Sequence, residues 1–204
     1  MYVRDQRSAA MVYCRRMAQK TVPKVIIIPG NGGATPRDNW FPYLQRELEA
    51  AGITVVNRQF PDPELARAKY WLPFIQSLGA DEHTILVGHS SGAIAAMRFA
   101  ETHKILGSIL VGTYHTDLGI EAERLSGYFD APWDWPAIKK HQRWIVIFAS
   151  VDDPYIAIEE PRFLAQQLDA EYHEYVDEGH FGGDKQKTAF PELVTVIKEM
   201  VIKK

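Results

Sequence analysis

The sequence predicts a single α/β domain built on a doubly wound, mostly parallel sheet of about six strands. Two observations favour this fold class. From Lys24 onward, short apolar runs alternate with longer amphipathic segments as far as the C-terminus. Most of the short runs are continuously apolar, which is typical of strands buried on both faces of a parallel sheet. Strand, helix and strand in repetition, with right-handed crossovers, build a doubly wound sheet.

Six short runs are candidate strands. They are Lys24–Ile28, Ile53–Arg58, Thr84–Gly88, Ile105–Val111, Trp144–Ala149 and Tyr172–Val176. The candidate helices are Trp40–Ala51, Glu64–Leu78, Gly92–His103, Arg162–Leu168 and Phe190–Val201. The second of these helices has a clear start signal, because Asp62 can act as its N-cap and Pro63 fits the first helical position.

Composition and length limit the function classes. The 204 residues include 23 Lys+Arg and 26 Asp+Glu, so the net charge is −3, and no basic cluster argues for a nucleic-acid partner. No apolar stretch reaches the roughly 18 residues of a membrane span, and no membrane partner is expected. The single cysteine, Cys14, excludes an intramolecular disulfide. We expect a cytoplasmic protein, with nucleus and mitochondrion left open.

Residues 1–22 differ from the rest of the chain. They carry five basic residues and one acid, Asp5, and show no periodic apolar positions. An Arg-rich, acid-poor composition has some transit-peptide character. We expect a disordered or processed leader at 1–22, followed by one folded domain at 23–204.

The sharpest motif is Gly88-His89-Ser90-Ser91-Gly92, which matches G-x-S-x-G. It directly follows an apolar run and directly precedes a helical segment, which is the strand-turn-helix context of a nucleophile elbow. Small residues at both ends let strand and helix approach closely, so the Ser90 hydroxyl is presented near the helix N-terminus. Ser90 is therefore the candidate nucleophile. His89, at the variable position, is expected to pack or to support a neighbour.

A serine nucleophile needs a base and a carboxylate that orients the base. In this architecture the chain order is Ser, then Asp or Glu, then His, each after a strand. His180 follows the last candidate strand and is the candidate base. Asp152 and Asp153 both follow the fifth strand, and Asp153 is favoured because Pro154 biases it toward an extended conformation.

Acyl transfer also needs backbone amides directed at the oxyanion. One donor should be the amide of Ser91. The second should come from the glycine-rich loop after the first strand, at Asn31 or Gly32. That loop lacks the lysine and the spacing of phosphate-binding loops, and no histidine pair has metal-ligand spacing, so neither a cofactor nor a metal is expected.

The interval Tyr114–Trp135 interrupts the alternation of strands and helices and is rich in aromatic residues. Long connections inside compact domains are usually functional, which suggests a lid or a pocket wall. Candidate pocket residues are His115, Tyr128, Phe129, Trp133 and Trp135. Alternatively, these rings simply cover an exposed flank of the sheet.

Several motifs together resemble one family. They include Pro29-Gly30-Asn31-Gly32-Gly33, Phe60-Pro61-Asp62-Pro63, Trp71-Leu72-Pro73-Phe74, the elbow and its helix, Ser126-Gly127-Tyr128-Phe129, Pro132-Trp133, Asp152-Asp153-Pro154 and Gly179-His180-Phe181. From about Lys24 to Val201 the chain is similar to the serine hydrolase family of retinoblastoma-binding protein 9 and the bacterial YdeN-like proteins. The resemblance implies an α/β-hydrolase fold and a triad of Ser90, Asp153 and His180.

The sequence departs from this family at two places. Where the vertebrate member has an L-x-C-x-E motif, this chain has Leu78-Gly79-Ala80-Asp81-Glu82. Alanine in place of the cysteine argues against binding of the retinoblastoma protein. The loop from Gly182 to Lys187 looks longer than its counterpart, which could alter the rim of the pocket.

Three functions are open at this point. The first is a metal-free serine hydrolase that cleaves a small ester or amide, such as an aromatic aminoacyl or short peptide-like substrate, through an acyl-enzyme. The second is a protein-binding scaffold that keeps the hydrolase fold. The third is an acyltransferase, which sequence does not separate from a hydrolase because only the deacylating nucleophile differs.

Overall fold

The computed structural model describes residues 23–202, so the predicted leader lies outside the described residues. Six strands form one sheet: β1 (Lys24–Ile28), β2 (Thr54–Asn57), β3 (Thr84–His89), β4 (Gly107–Val111), β5 (Ile145–Ser150) and β6 (Glu171–Tyr175). Their order across the sheet is β2-β1-β3-β4-β5-β6, and every neighbouring pair is parallel. The predicted α/β class and the number of strands are confirmed.

Seven helices lie among the described residues. They are α1 (Phe41–Ala50), α2 (Ala68–Ser77), α3 (Ser91–Ala100), α4 (Glu121–Arg124), α5 (Trp135–Lys140), α6 (Glu159–Leu168) and α7 (Pro191–Ile202). The two short helices α4 and α5 lie in or next to the aromatic interval and have no counterpart among the predicted elements. None of the helices in residues 23–202 combines the length and apolar character needed to cross a bilayer.

Two apolar layers cover the sheet, one on each face. Strand residues of one parity, such as Ile26 and Leu86, pack against α2, α3, α5 and α6, whereas those of the other parity, such as Val25 and Val87, pack against α1 and α7. Successive strand side chains point to opposite faces, so strands covered on both sides must be apolar at every position. This explains the continuous apolar runs of the sequence.

The start of α2 is a correction to the sequence prediction. The helix begins at Ala68 rather than at Glu64, and its N-cap position is Arg67. Asp62 has a positive φ of 50°, and its carboxylate accepts hydrogen bonds from the Arg67 guanidinium at 2.7 and 2.8 Å. Because this ion pair already engages the carboxylate, Asp62 closes a turn ahead of the helix instead of capping it.

The central helix α3 is buried along its whole length. It lies over β1, β3 and β4, and its small residues Gly92, Ala93, Ala95 and Ala96 allow close contact with the sheet. Since all strands are parallel, their carboxyl ends meet at one edge of the sheet, where ligands bind in open α/β folds. The loops after β1, β3, β4, β5 and β6 therefore converge at the N-terminus of α3.

Candidate active site

Ser90 lies between the last residue of β3 and the first residue of α3. Its backbone has φ 55° and ψ −125°, an unusual conformation for a residue other than glycine. Such conformations cost on the order of 1–3 kcal/mol and persist where the surroundings enforce them. Here the Ser90 amide donates to the Val111 carbonyl at 2.9 Å, and the Ser90 carbonyl accepts from Ala93 at 2.8 Å. The half-buried Ser90 hydroxyl makes no hydrogen bond with residues 23–202, so it is free to rotate.

The two glycines of the elbow are needed for close backbone contact. A Cβ added at Gly88 would lie 2.3 Å from the Gly92 carbonyl oxygen. A Cβ added at Gly92 would lie 2.3 Å from the carbonyl oxygens of both Ile28 and Pro29. These clashes are with backbone atoms, which cannot move aside as a flexible side chain could, so strand and helix reach this distance only with glycine at both positions.

We expect Gly92→Ala to lower the free energy of unfolding by about 3 kcal/mol or more, since the methyl group would force α3 away from β1. Thermal unfolding followed by circular dichroism measures this. Gly119→Ala is the matched control: Gly119 has φ 68° and open space around its Cβ position, so it should lose only about 1–2 kcal/mol from backbone strain. Equal Tm losses in the two variants would contradict the steric argument.

His180 and Asp153 form a buried pair at the same edge of the sheet. The His180 Nδ1–H donates to Asp153 Oδ2 at 2.7 Å, and the two side chains are 9% and 4% exposed. The other carboxylate oxygen of Asp153 accepts from the backbone amides of Tyr155 at 2.9 Å and Ile156 at 3.1 Å. Both carboxylate oxygens are thus engaged, which fixes the plane of the carboxylate and, through it, the imidazole.

The neighbouring Asp152 faces away from the imidazole. Its carboxylate accepts from the Ser150 hydroxyl at 2.6 Å and from the Gly179 amide at 2.9 Å, and it forms an ion pair with Lys185. The Lys185 ammonium, together with these two donors, holds the pKa of Asp152 well below its ordinary value. Asp152 therefore ties the end of β5 to the loop that carries His180.

His89 supports the same loop from the sheet side. Its Nε2–H donates to the His180 carbonyl at 2.7 Å. Burial lowers the pKa of His89 to about 3, so the ring is neutral at ordinary pH and keeps this donor. The Trp40 indole N–H likewise donates to the Phe181 carbonyl at 3.0 Å. Two ring donors thus hold consecutive carbonyls of the histidine loop.

Ser90 and His180 open onto one cavity of about 530 Å³. Asp153 lies behind His180 and does not line it. The lining residues are Gly30, Asn31, Gly32, Gly33, Ala34, Asp38, Asn39, His89, Ser90, Tyr114, Leu118, Ile120, Glu123, Tyr155, Ile156, His180, Gly182 and Gly183. Clefts of this size hold small organic molecules. Ser90 and His180 thus line one ligand-sized cavity, and Asp153 is hydrogen-bonded to His180 behind its wall.

Backbone amides that could hold an anion lie beside Ser90. The amide of Ser91 is the first of α3, and the first amides of a helix have no intrahelical acceptor. The amide of Asn31 likewise donates to no acceptor in residues 23–202. Gly32 differs from the expectation that its amide is free to bind an oxyanion, because that amide donates to the Glu64 carbonyl at 3.1 Å. Because that donor is already engaged, Asn31 remains as the candidate donor of this loop.

Comparisons with known proteins identify the family. The model of the serine hydrolase family matches residues 25–199. This chain belongs to the serine hydrolase family. It is 45% identical over 181 residues to serine hydrolase RBBP9 of Rattus norvegicus, covering 87% of this chain and 95% of that protein. It is 29% identical over 169 residues to the putative hydrolase YdeN of Bacillus subtilis strain 168, covering 80% of this chain and 89% of that protein.

Solved structures show the same fold. The crystal structure of the YdeN product of Bacillus subtilis superposes with a TM-score of 0.80 at 29% identity, over 90% of this chain and 100% of that chain. Est1E of Butyrivibrio proteoclasticus, solved with ferulic acid bound, superposes with a TM-score of 0.69 at 14% identity, over 92% of this chain and 91% of that one. The fold of this serine hydrolase is thus the α/β-hydrolase fold, as the family resemblance implied.

The five pocket residues predicted from the aromatic interval do not line the cavity of this serine hydrolase. His115, Tyr128, Phe129, Trp133 and Trp135 instead pack away from it, four of them against the apolar layer formed by α2, α3, α5 and α6. The structure therefore shows none of the predicted pocket contacts. The alternative interpretation, that the rings cover a flank of the sheet, describes where they lie. From this interval, Tyr114, Leu118, Ile120 and Glu123 reach the cavity.

Arg98 explains where the aromatic residues lie. This buried residue of α3 donates to the carbonyls of Tyr128 and Ala131, both at 2.7 Å, and of Pro132 at 3.2 Å. Its guanidinium carbon lies 3.6 Å from the centre of the Trp133 ring. A buried cation needs several such partners, and these carbonyls all belong to the aromatic segment. Arg98 therefore fixes that segment to the helix that begins at the elbow.

His115 contacts Glu160 of α6 instead of the cavity. The distance from His115 Nδ1 to Glu160 Oε2 is 2.6 Å, and the backbone amide of His115 donates to the same oxygen at 2.7 Å. The Thr116 hydroxyl donates to Oε1 at 2.6 Å. Burial opposes ionisation of Glu160, but these donors outweigh it and lower its pKa to about 2. Glu160 thus anchors the start of the aromatic interval.

We expect Glu160→Gln to lower the free energy of unfolding at pH 7 by about 1–2 kcal/mol, or about 3–6 °C in Tm. A carboxyl whose pKa is depressed on folding stabilises above its unfolded pKa, and this contribution is lost as the pH falls through the folded value. The Tm difference should therefore shrink between about pH 4.5 and pH 2. Thermal melts across this range test it, with exposed Glu82→Gln as the control. A difference that persists unchanged at pH 2 would contradict this account.

Glu123 is a site residue that sequence reasoning missed. It is 5% exposed, and its Oε1 accepts from the Asn31 amide group at 2.7 Å and from the Ser91 hydroxyl at 3.3 Å. Burial raises the pKa of the Glu123 carboxyl above its ordinary value. No local pattern marks this residue, since Glu121 and Glu123 of the same short helix look alike in the sequence. Among residues 23–202, no cluster of His, Cys, Asp and Glu is arranged to hold a metal ion.

Proposed function

We propose that this serine hydrolase cleaves small esters or amides through a triad of Ser90, His180 and Asp153 and an acyl-enzyme intermediate. The observation that carries the proposal is the 2.7 Å contact between His180 Nδ1 and Asp153 Oδ2, at the wall of the cavity that Ser90 also lines. Since Nδ1 holds its proton against the carboxylate, Nε2 has a free lone pair. An imidazole in this tautomer can act as a general base toward a serine hydroxyl.

In the first half-reaction, His180 Nε2 takes the proton of the Ser90 hydroxyl while the oxygen forms a bond to the substrate carbonyl carbon. The carbonyl oxygen becomes an oxyanion, which the amides of Ser91 and Asn31 would stabilise. The imidazolium is stabilised by Asp153. It then gives its proton to the leaving alcohol or amine as the bond to the carbonyl carbon breaks, which leaves an ester between Ser90 and the acyl group.

The second half-reaction repeats these steps with water. His180 takes a proton from water, the resulting hydroxide attacks the acyl carbon, and the tetrahedral intermediate forms again. Its collapse breaks the bond to Ser90, and the serine oxygen recovers the proton from His180. The products are a carboxylic acid and the free enzyme, so no cofactor is consumed.

The cavity supports a small, partly apolar substrate. Its volume is about 530 Å³, and Leu118, Ile120, Tyr155 and Ile156 give it an apolar side. An aromatic or aliphatic acyl group of modest size, including an aminoacyl group, fits this chemistry. Substrate binding would rest on contact with this apolar side and on the oxyanion donors.

We propose no contact with the retinoblastoma protein through residues 78–82. What supports this is the alanine at position 80, where the vertebrate motif has cysteine, together with its burial at 8% exposure. A side chain buried in this way is not available to a partner.

The test is active-site labelling. A fluorophosphonate probe should form a single covalent adduct with the native protein, and tandem mass spectrometry should place it on Ser90. The same treatment should abolish hydrolysis of p-nitrophenyl acetate. Absence of an adduct, or an adduct on another residue, would reject the proposed function.

A further inference from the structure

Glu123 lies at the junction between the loop after β1 and the start of α3. It belongs to the short helix α4, and its side chain is buried in the wall of the cavity. Carboxyl groups are seldom buried without partners, and a buried polar group without hydrogen bonds is costly. The position of Glu123 therefore depends on the two donors that it meets there.

Both donors belong to residues of the oxyanion site. Asn31 Nδ2 donates to Glu123 Oε1 at 2.7 Å, and Ser91 Oγ donates to the same oxygen at 3.3 Å. Ser91 Oγ also lies 3.2 Å from the Tyr114 hydroxyl. Within residues 23–202, the Asn31 side chain makes no other hydrogen bond. One carboxyl oxygen thus connects the two residues whose backbone amides are the proposed oxyanion donors.

This connection matters because the two donors lie on separate elements. Ser91 is held by α3, whereas Asn31 lies on a glycine-rich loop between Gly30 and Gly32. Oxyanion stabilisation depends on both amides being about 3 Å from one point, and a shift of about 1 Å in such a site can cost about a hundredfold in rate. The loop needs a fixed anchor relative to α3.

We propose that Glu123 is a positioning residue of the oxyanion site, acting through the side chains of Asn31 and Ser91. This inference rests on the proposed function. Burial raises the pKa of the Glu123 carboxyl, which lessens its tendency to carry a charge beside the oxyanion. The variant Glu123→Gln should therefore keep the arrangement, because the glutamine carbonyl oxygen can accept the same two hydrogen bonds without a charge.

The experiment measures kcat and KM for p-nitrophenyl acetate in five variants. Glu123→Ala should lower kcat about 10- to 100-fold with KM within about threefold, since the lost interaction acts in the transition state. Glu123→Gln should stay within about fivefold of the wild type. Glu174→Ala is the control for loss of a hydrogen-bonded carboxyl, because Glu174 binds Arg162 and the Tyr172 hydroxyl away from the cavity. It should change Tm but leave kcat within about threefold.

The fourth variant, Asn31→Ala, tests the route of the effect. If Glu123 acts through Asn31, kcat of the double variant Asn31→Ala/Glu123→Ala should be little lower than kcat of the less active single variant. Three results would overturn the inference. They are an equal loss of kcat in Glu123→Gln and Glu123→Ala, losses of kcat that multiply in the double variant, and a wild-type kcat in Glu123→Ala. Should Glu123→Ala fail to fold, activity in Glu123→Gln and its loss in Asn31→Ala decide the question.

Failure of the proposed function gives a different result. In that case the wild type itself would neither turn over the ester nor take up the fluorophosphonate. A wild type that reacts normally, with Glu123→Ala unchanged, would reject the positioning role alone.

Discussion

Replacing Ser90 with alanine is expected to lower kcat for p-nitrophenyl acetate by about 10⁴- to 10⁶-fold and to abolish the fluorophosphonate adduct. The members of a triad act as a unit, so removal of the nucleophile leaves only the weak catalysis that binding and the oxyanion donors supply. The Ser90 hydroxyl makes no hydrogen bond with the described residues, and alanine would occupy the same strained backbone. Tm should therefore change by no more than a few degrees.

The control for this variant is Ser77→Ala, which removes a hydroxyl that binds the Phe74 carbonyl at the end of α2. It should label and turn over like the wild type. A Ser90→Ala protein that folds and still hydrolyses the ester within tenfold of the wild type would show that another residue is the nucleophile.

The adjacent pair Asp152 and Asp153 offers the second large effect. Asp153→Asn should lower kcat by about 10³- to 10⁴-fold, because a neutral amide neither holds the imidazole in the required tautomer nor stabilises the imidazolium. Asp152→Asn should stay within about tenfold of the wild type. Its amide oxygen can still accept from Ser150 and Gly179, and the exposed ion pair with Lys185 is worth at most about 1 kcal/mol.

Steady-state kinetics of the two variants, with Tm measured alongside, separate these roles. The substitutions are chemically identical and differ by one position, so a general effect of charge would alter both in the same way. Similar losses of kcat in the two variants would show that Asp153 is not a member of the triad. A larger loss of kcat in Asp152→Asn would assign that role to Asp152.

The parts of the site that were predictable depend on short-range pattern and on topology. The elbow around Ser90 follows from small residues between an apolar strand and a helix. The placement of His180 follows from the rule that parallel strands end at one edge. Pro154 distinguishes Asp153 from Asp152 as the candidate acid. The residue before a proline is held extended, and neighbouring side chains on an extended segment point in different directions.

The parts that were wrong depend on contacts between distant segments. The Gly32 amide is occupied by a carbonyl of Glu64, and the carboxylate of Asp62 is occupied by Arg67 before it can cap α2. The aromatic segment is held against α3 because a buried arginine, Arg98, binds the backbone carbonyls of Tyr128, Ala131 and Pro132. Glu123 was missed because carboxyl groups are exposed by default, so its burial depends on donors that sequence alone does not bring near.

The two anchors of the segment between β4 and β5 have a consequence for selectivity. Glu160 holds its beginning at His115 and Thr116, and Arg98 holds the carbonyls of residues 128, 131 and 132. Leu118 and Ile120 lie between these anchors. The apolar side is thus preorganised, and an incoming acyl group pays little entropy to order it. In the reaction proposed above, discrimination among acyl chains would then follow from a shape that exists before encounter, and engineering of acyl preference would begin at positions 118 and 120.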